Sequence, residues 1–228
     1  ADFLGCAGHP ILQTPVIDHL AAEGVRFENA FVTTSICAAS RATLFTGQWE
    51  RTHGFTFGTP PIAEATGLLS YPVVLREAGY RTGFIGKFGV KVHAGATDAM
   101  FDYFTPLGRR VTELPDGTTQ HFTEEVGVRA VEFLQGCDKE QPFCLSVSFN
   151  AAHASDGDKV NHYPYPETEA GLYEDVTIPP PLVSTDFWEE LPPFFQDGMH
   201  RDRWFWRWDT PEKYQRNVKA YYRMITGL

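Results

Sequence analysis

Strand-like and helical patterns alternate along the first 150 residues, and this alternation limits the possible fold more than any other feature. Three runs, Val25 to Val32, Tyr80 to Ile85 and Pro142 to Phe149, are rich in β-branched and aromatic residues and read as strands. Between them lie three helical patterns with punctuated ends. Pro15 to Glu23 follows Thr14 as N-cap and stops at Gly24, Tyr71 to Ala78 stops at Gly79, and Glu124 to Leu134 stops at Gly136. Helices alternating with strands predict an α/β domain whose sheet is covered on both faces, with Pro142 to Phe149 as its central strand.

From Tyr163 to Trp208 the chain turns to Pro, Trp, Phe and acidic residues with little periodicity, which predicts an irregular aromatic and proline-rich insertion over 163–208. An amphipathic helix is expected after it, with Pro211 at the first helical position and Tyr214, Val218, Tyr221, Tyr222 and Ile225 on one face. With 29 acidic against 19 basic residues the net charge is −10, and no basic stripe is available to displace counterions from a nucleic acid. No apolar stretch reaches membrane-spanning length, and the first residues show no basic-then-apolar signal. The four cysteines, Cys6, Cys37, Cys137 and Cys144, form no CxxC pair and lack histidines at zinc spacing.

Most of the chemistry is expected in the segment Ser35-Ile36-Cys37-Ala38-Ala39-Ser40-Arg41-Ala42-Thr43-Leu44-Phe45-Thr46-Gly47. A cysteine ahead of a short helix closed by Gly47 faces backbone N–H groups and the positive end of the helix dipole. From the residues alone, Cys37 is either a low-pKa nucleophile with Arg41 one turn away or a buried structural thiol.

Cys37 to Gly47 also resembles the sulfatase signature C-x-[P/A]-S-R-x-x-L-x-T-G, with every fixed position filled. Gly79-Tyr80-Arg81-Thr82-Gly83-Phe84-Ile85-Gly86-Lys87-Phe88 is similar to the second signature of that family, a strand ending in an active-site lysine. Gly8-His9-Pro10, Thr14-Pro15, Leu20 to Phe27 and Leu75 to Tyr80 extend the resemblance over most of the first 155 residues. Phe149-Asn150-Ala151-Ala152-His153 and Tyr221 to Leu228 resemble later family segments.

The resemblance implies an alkaline-phosphatase-like sandwich with a central, mostly parallel sheet flanked by helices. Residues 1–228 would be an N-terminal portion of the catalytic domain, lacking its first strand and C-terminal portion and inactive alone. It further implies that a maturase oxidises Cys37 to formylglycine, and that a divalent cation, usually calcium, activates the resulting hydroxyl. Arg41 would hold that group, Lys87 would bind sulfate oxygens, and His153 would contact substrate and protonate the leaving oxygen. The substrate would be a small-molecule or carbohydrate sulfate ester, and the compartment periplasmic or extracellular.

Several positions depart from the family pattern. Gly89 stands where many members carry histidine, with His93 in the following loop as a substitute. Ala39 replaces a preferred proline, and Ala154-Ser155 replaces the proline usual near His153. The carboxylate pairs of the metal site fall outside the chain, so no metal ligands are assigned; Asp2 is a weak candidate, and formylglycine at 37 would itself contribute. Three alternatives remain: a phosphonate or phosphate ester hydrolase of the same superfamily, for which Lys91 is the extra cation, a non-catalytic anion-binding pseudoenzyme, and a cysteine hydrolase pairing Cys37 with His53 or His153.

Overall fold

A computed structural model describes residues 3–108 and 111–228; Asp2, weighed above as a ligand, lies outside them. In chain order the elements are α1 (Pro15–Glu23), α2 (Cys37–Thr46), α3 (Glu50–His53), α4 (Glu64–Gly67), α5 (Tyr71–Glu77), β1 (Arg81–Gly86), α6 (Ala96–Met100) and β2 (Tyr103–Pro106). They continue with β3 (Val111–Glu113), β4 (Thr119–His121), α7 (Phe122–Gln135), β5 (Phe143–Ser148), α8 (Pro193–Gln196), α9 (Met199–Arg207) and α10 (Pro211–Thr226). The chain divides into two compact units, one formed by Phe27–Asn150 and the other by Ala1–Arg26 with Ala151–Leu228.

The Phe27–Asn150 unit is an α/β layer structure around a parallel sheet of order β2-β1-β5. Gly83 pairs with Tyr103 on one side of β1 and with Leu145 on the other. Alternation along β1 sends successive side chains to opposite faces. Phe84 packs with Phe45 and Ala42 of α2, Val73 of α5 and Met100 and Phe101, while Ile85 packs on Phe122, Val126 and Phe133 of α7. Phe84 and Ile85 are 2% and 0% exposed, and each such burial stabilises by about 2 kcal/mol.

Two expectations about this sheet change. β5 is an edge strand among the described residues, and β1 is central. Phe143 and Val147 of β5 remain 46% and 38% exposed, whereas β1 is buried from Thr82 to Gly86. Val25 to Val32 forms no strand: the run straddles the boundary between the units, and its Val25, Phe27 and Phe31 side chains are exposed. Strand propensity means that a run fits a pleated, half-buried surface, and without a pairing edge it forms no ladder.

The helix limits follow local chemistry. Gly47, with φ +64°, closes α2 by donating to the Thr43 carbonyl. At α7 the cap is His121: its Nδ1 accepts from the Thr123 N–H at 3.2 Å, while Glu124 accepts from the His121 N–H at 2.7 Å. That cap sits at the end of the antiparallel hairpin β3-β4.

In the other unit, Thr210 caps α10 by accepting from the Lys213 N–H at 3.3 Å, and Tyr222 and Ile225 pack on Leu12 and Ile178. Thr14 precedes α1 without capping it; its hydroxyl instead donates to Asp18 at 2.7 Å and accepts from the Gly5 N–H. Within 163–208 the chain forms two short 3₁₀ turns, α8 and α9. No helix among the described residues is long and apolar enough to cross a membrane.

Candidate active site

Two residues named from the sequence, Cys37 and Arg41, lie on α2 in the Phe27–Asn150 unit, and Arg41 reaches the backbone of a third, Lys87. Cys37 opens α2 and is half-buried. The N-cap residue Ile36 has no side-chain acceptor, so the first-turn N–H groups retain their capacity to bind an anion. One turn on, the Arg41 Nη1 donates to the Lys87 carbonyl at 2.6 Å and to the Ser148 hydroxyl. Burial lowers the Arg41 pKa, and Cys37 opposes that shift electrostatically.

Lys87 and Ser148 are brought to Arg41 by the parallel register. Gly86 is opposite Ser148, and the Lys87 N–H donates to the Ser148 carbonyl at 2.8 Å. Both lie at the carboxyl ends of adjacent parallel strands, the side of an α/β sheet where ligands bind. One guanidinium therefore fixes the start of α2 against the ends of β1 and β5. Ser148 was not singled out from the sequence, because a serine at a strand end has no local signature.

The departure at Gly89 has a steric cause here. Its φ is +65°, and a Cβ at that position would lie 3.3 Å from the Arg41 Cδ. A side chain there would be strained by the backbone and crowd the guanidinium stem. His93 is exposed in the loop before α6 and lines a small cleft with Ile62, Glu64 and Leu68. His53 is buried, which lowers its pKa; its Nδ1 accepts from the Phe55 N–H at 3.0 Å, so its Nε2–H donates to Thr43. With both nitrogens engaged, His53 is not poised as a base for Cys37.

His153 stands in the other unit, exposed. Its Nδ1 lies 2.7 Å from the Ala154 carbonyl oxygen. A carbonyl only accepts, so Nδ1 carries the hydrogen in this pair.

Among the described residues, no three His, Cys, Asp or Glu side chains lie together as a metal site. The described residues therefore supply no ligand cluster that fits the calcium centre implied by the resemblance.

The sulfatase family model matches residues 1–227. This chain belongs to the sulfatase family. It is 27% identical over 199 residues to N-acetylglucosamine-6-O-sulfatase of Bacteroides thetaiotaomicron, covering 82% of this chain and 33% of that protein. It is 37% identical over 229 residues to an arylsulfatase of Clostridium perfringens, covering 80% of this chain and 45% of the relative. Each of these relatives is thus much longer than the segment it shares with this sulfatase chain. A solved structure described as bound to its substrate, D-glucosamine-2-N,6-O-disulfate, superposes with a TM-score of 0.67 at 19% identity, over 98% of this chain and 55% of that one. The likeness at that identity is one of fold.

Proposed function

We propose that this sulfatase hydrolyses sulfate esters of carbohydrates or small alcohols and phenols through a formylglycine made from Cys37 by a formylglycine-generating maturase. The observation that carries the reading is the Arg41 bridge, which joins the helix bearing Cys37 to the strand ends bearing Lys87 and Ser148. The names of the two sulfated-sugar relatives support a carbohydrate sulfate as the substrate class.

Formed at position 37, a formylglycine would supply an oxygen nucleophile for the ester sulfur. The residues of the chain do the rest. The Lys87 ammonium neutralises sulfate oxygens as they gain negative charge in the transition state, and Arg41 supplies fixed positive charge beside position 37. When the sulfur–oxygen ester bond breaks, the leaving oxygen takes a proton from the Nε2 of His153, while Nδ1 keeps its hydrogen on the Ala154 carbonyl. Over the full cycle one sulfate ester and one water give the free alcohol or phenol and sulfate.

The test is turnover of aryl and 6-O-sulfated amino-sugar substrates by the full-length native protein, with a phosphonate monoester run in parallel. Sulfate release abolished by Cys37→Ala supports the assignment. Preferential phosphonate cleavage moves it to the neighbouring phosphonate hydrolases, and turnover untouched by Cys37→Ala overturns it.

A further inference from the structure

The segment that follows His153 has no regular secondary structure, yet it is tied down at its second and third residues. The Ser155 N–H donates to the His162 carbonyl at 2.6 Å, and the buried His162 returns a bond from its Nδ1–H to the Ser155 carbonyl at 3.0 Å. Within the loop so closed, the Asp158 carboxylate accepts from the N–H groups of Val160 and Asn161, each at 2.9 Å.

Asp156 then fastens this loop to α9. One carboxylate oxygen lies 2.5 Å from the Nη2 of Arg203, whose Nε also faces the carboxylate, and the other oxygen accepts from the Nη2 of Arg207. Arg203 and Arg207 are four residues apart and so share one face of the helix. Arg207 is 6% exposed and lies over the Tyr163 ring, so its charge has left water and depends on Asp156 for compensation. Movement of Asp156 away from α9 would leave a buried guanidinium without its carboxylate. The hydrogen bonds of Arg203 and Arg207 accordingly hold the Asp156 carboxyl at about 2, chiefly through Arg203.

Among the described residues, the His153 side chain hydrogen-bonds to the next residue along, so the direction of its Nε2 is set by the peptide frame that continues into Ser155 and Asp156. We infer that Asp156, clamped by Arg203 and Arg207, is a positioning residue that holds the His153 imidazole in its proton-donating orientation. This rests on the reading of His153 as general acid. It further implies that the clamp matters most for esters whose leaving oxygen is a poor leaving group, such as a sugar hydroxyl.

The experiment compares kcat on phenyl sulfate, whose leaving group needs protonation, with kcat on 4-nitrophenyl sulfate, whose leaving group does not. It uses the full-length, formylglycine-bearing protein. Asp156→Ala is expected to lower kcat on phenyl sulfate by roughly 30-fold and on 4-nitrophenyl sulfate by less than about 3-fold, with KM unchanged. In a His153→Ala background the same substitution should cost nothing further. The more exposed Arg203→Ala, expected to show the same pattern at about 5-fold, serves if Asp156→Ala does not fold. Equal losses on both substrates, or full additivity with His153→Ala, would overturn the positioning role while leaving the general acid in place. A His153→Ala enzyme with no leaving-group-dependent loss would remove the general-acid reading and the positioning role with it.

Discussion

Gly86→Ala should break the join between strand and site. Gly86 ends β1 immediately before Lys87, at φ +100°, and a Cβ there would lie 2.1 Å from the Ser148 carbonyl oxygen, more than 1 Å inside ordinary contact. Two costs combine. Forcing alanine into this backbone region costs about 1–2 kcal/mol. Relieving the clash requires the end of β5 to move by roughly 1 Å, which stretches the 2.8 Å bond from the Lys87 N–H to Ser148 beyond hydrogen-bonding range, for about 1 kcal/mol more. The total, about 2–3 kcal/mol, should lower the thermal midpoint of this unit by roughly 10 °C. Because Ser148 also receives Arg41, sulfate ester turnover should fall as well. Gly95→Ala is the control: its φ is +80°, but nothing lies within 4 Å of the added Cβ, so only the backbone cost of about 1 kcal/mol applies. Thermal denaturation read by circular dichroism, with aryl sulfate turnover, decides the matter. A Gly86→Ala midpoint no lower than that of Gly95→Ala would refute the steric argument.

Maturation should leave the Cys37 peptide lighter than its thiol form by mass spectrometry, and a peptide that keeps the thiol in an active preparation would favour a cysteine hydrolase. Arg41→Met should lower kcat by on the order of a hundredfold, since it removes a fixed charge and unties the start of α2 from the ends of β1 and β5; kinetics within a few-fold of the parent would count against the bridge. Lys87→Ala and His153→Ala should each cost about a hundredfold or more in kcat. The stabilising contribution of Asp156, a depressed carboxylate, should be fully present above about pH 4 and lost as pH falls toward about 2. Acid denaturation should therefore show the difference between the parent and Asp156→Asn shrinking over that window, and a difference constant with pH would contradict the pairing.

The sequence by itself determined what depends on a few neighbouring residues. The α2 helix with Cys37 at its start and Gly47 at its end, β1 running up to Lys87, and α10 opened by Thr210-Pro211 could all be read in advance, because caps, stops and periodicity act within a turn or two. The roles expected of Cys37, Arg41, Lys87 and His153 came from resemblance to family segments, because spacing alone left them open. Only the tertiary structure decided which edges pair and which distant groups meet. Val25 to Val32 had strand propensity and found no ladder, and β1 rather than β5 took the centre because helices cover both of its faces. Arg41 reaches partners 46 and 107 positions away, and Asp156 meets arginines 47 and 51 positions away. Those contacts depend on strand register and helix packing, which bring together segments that carry no mark of one another in their local pattern.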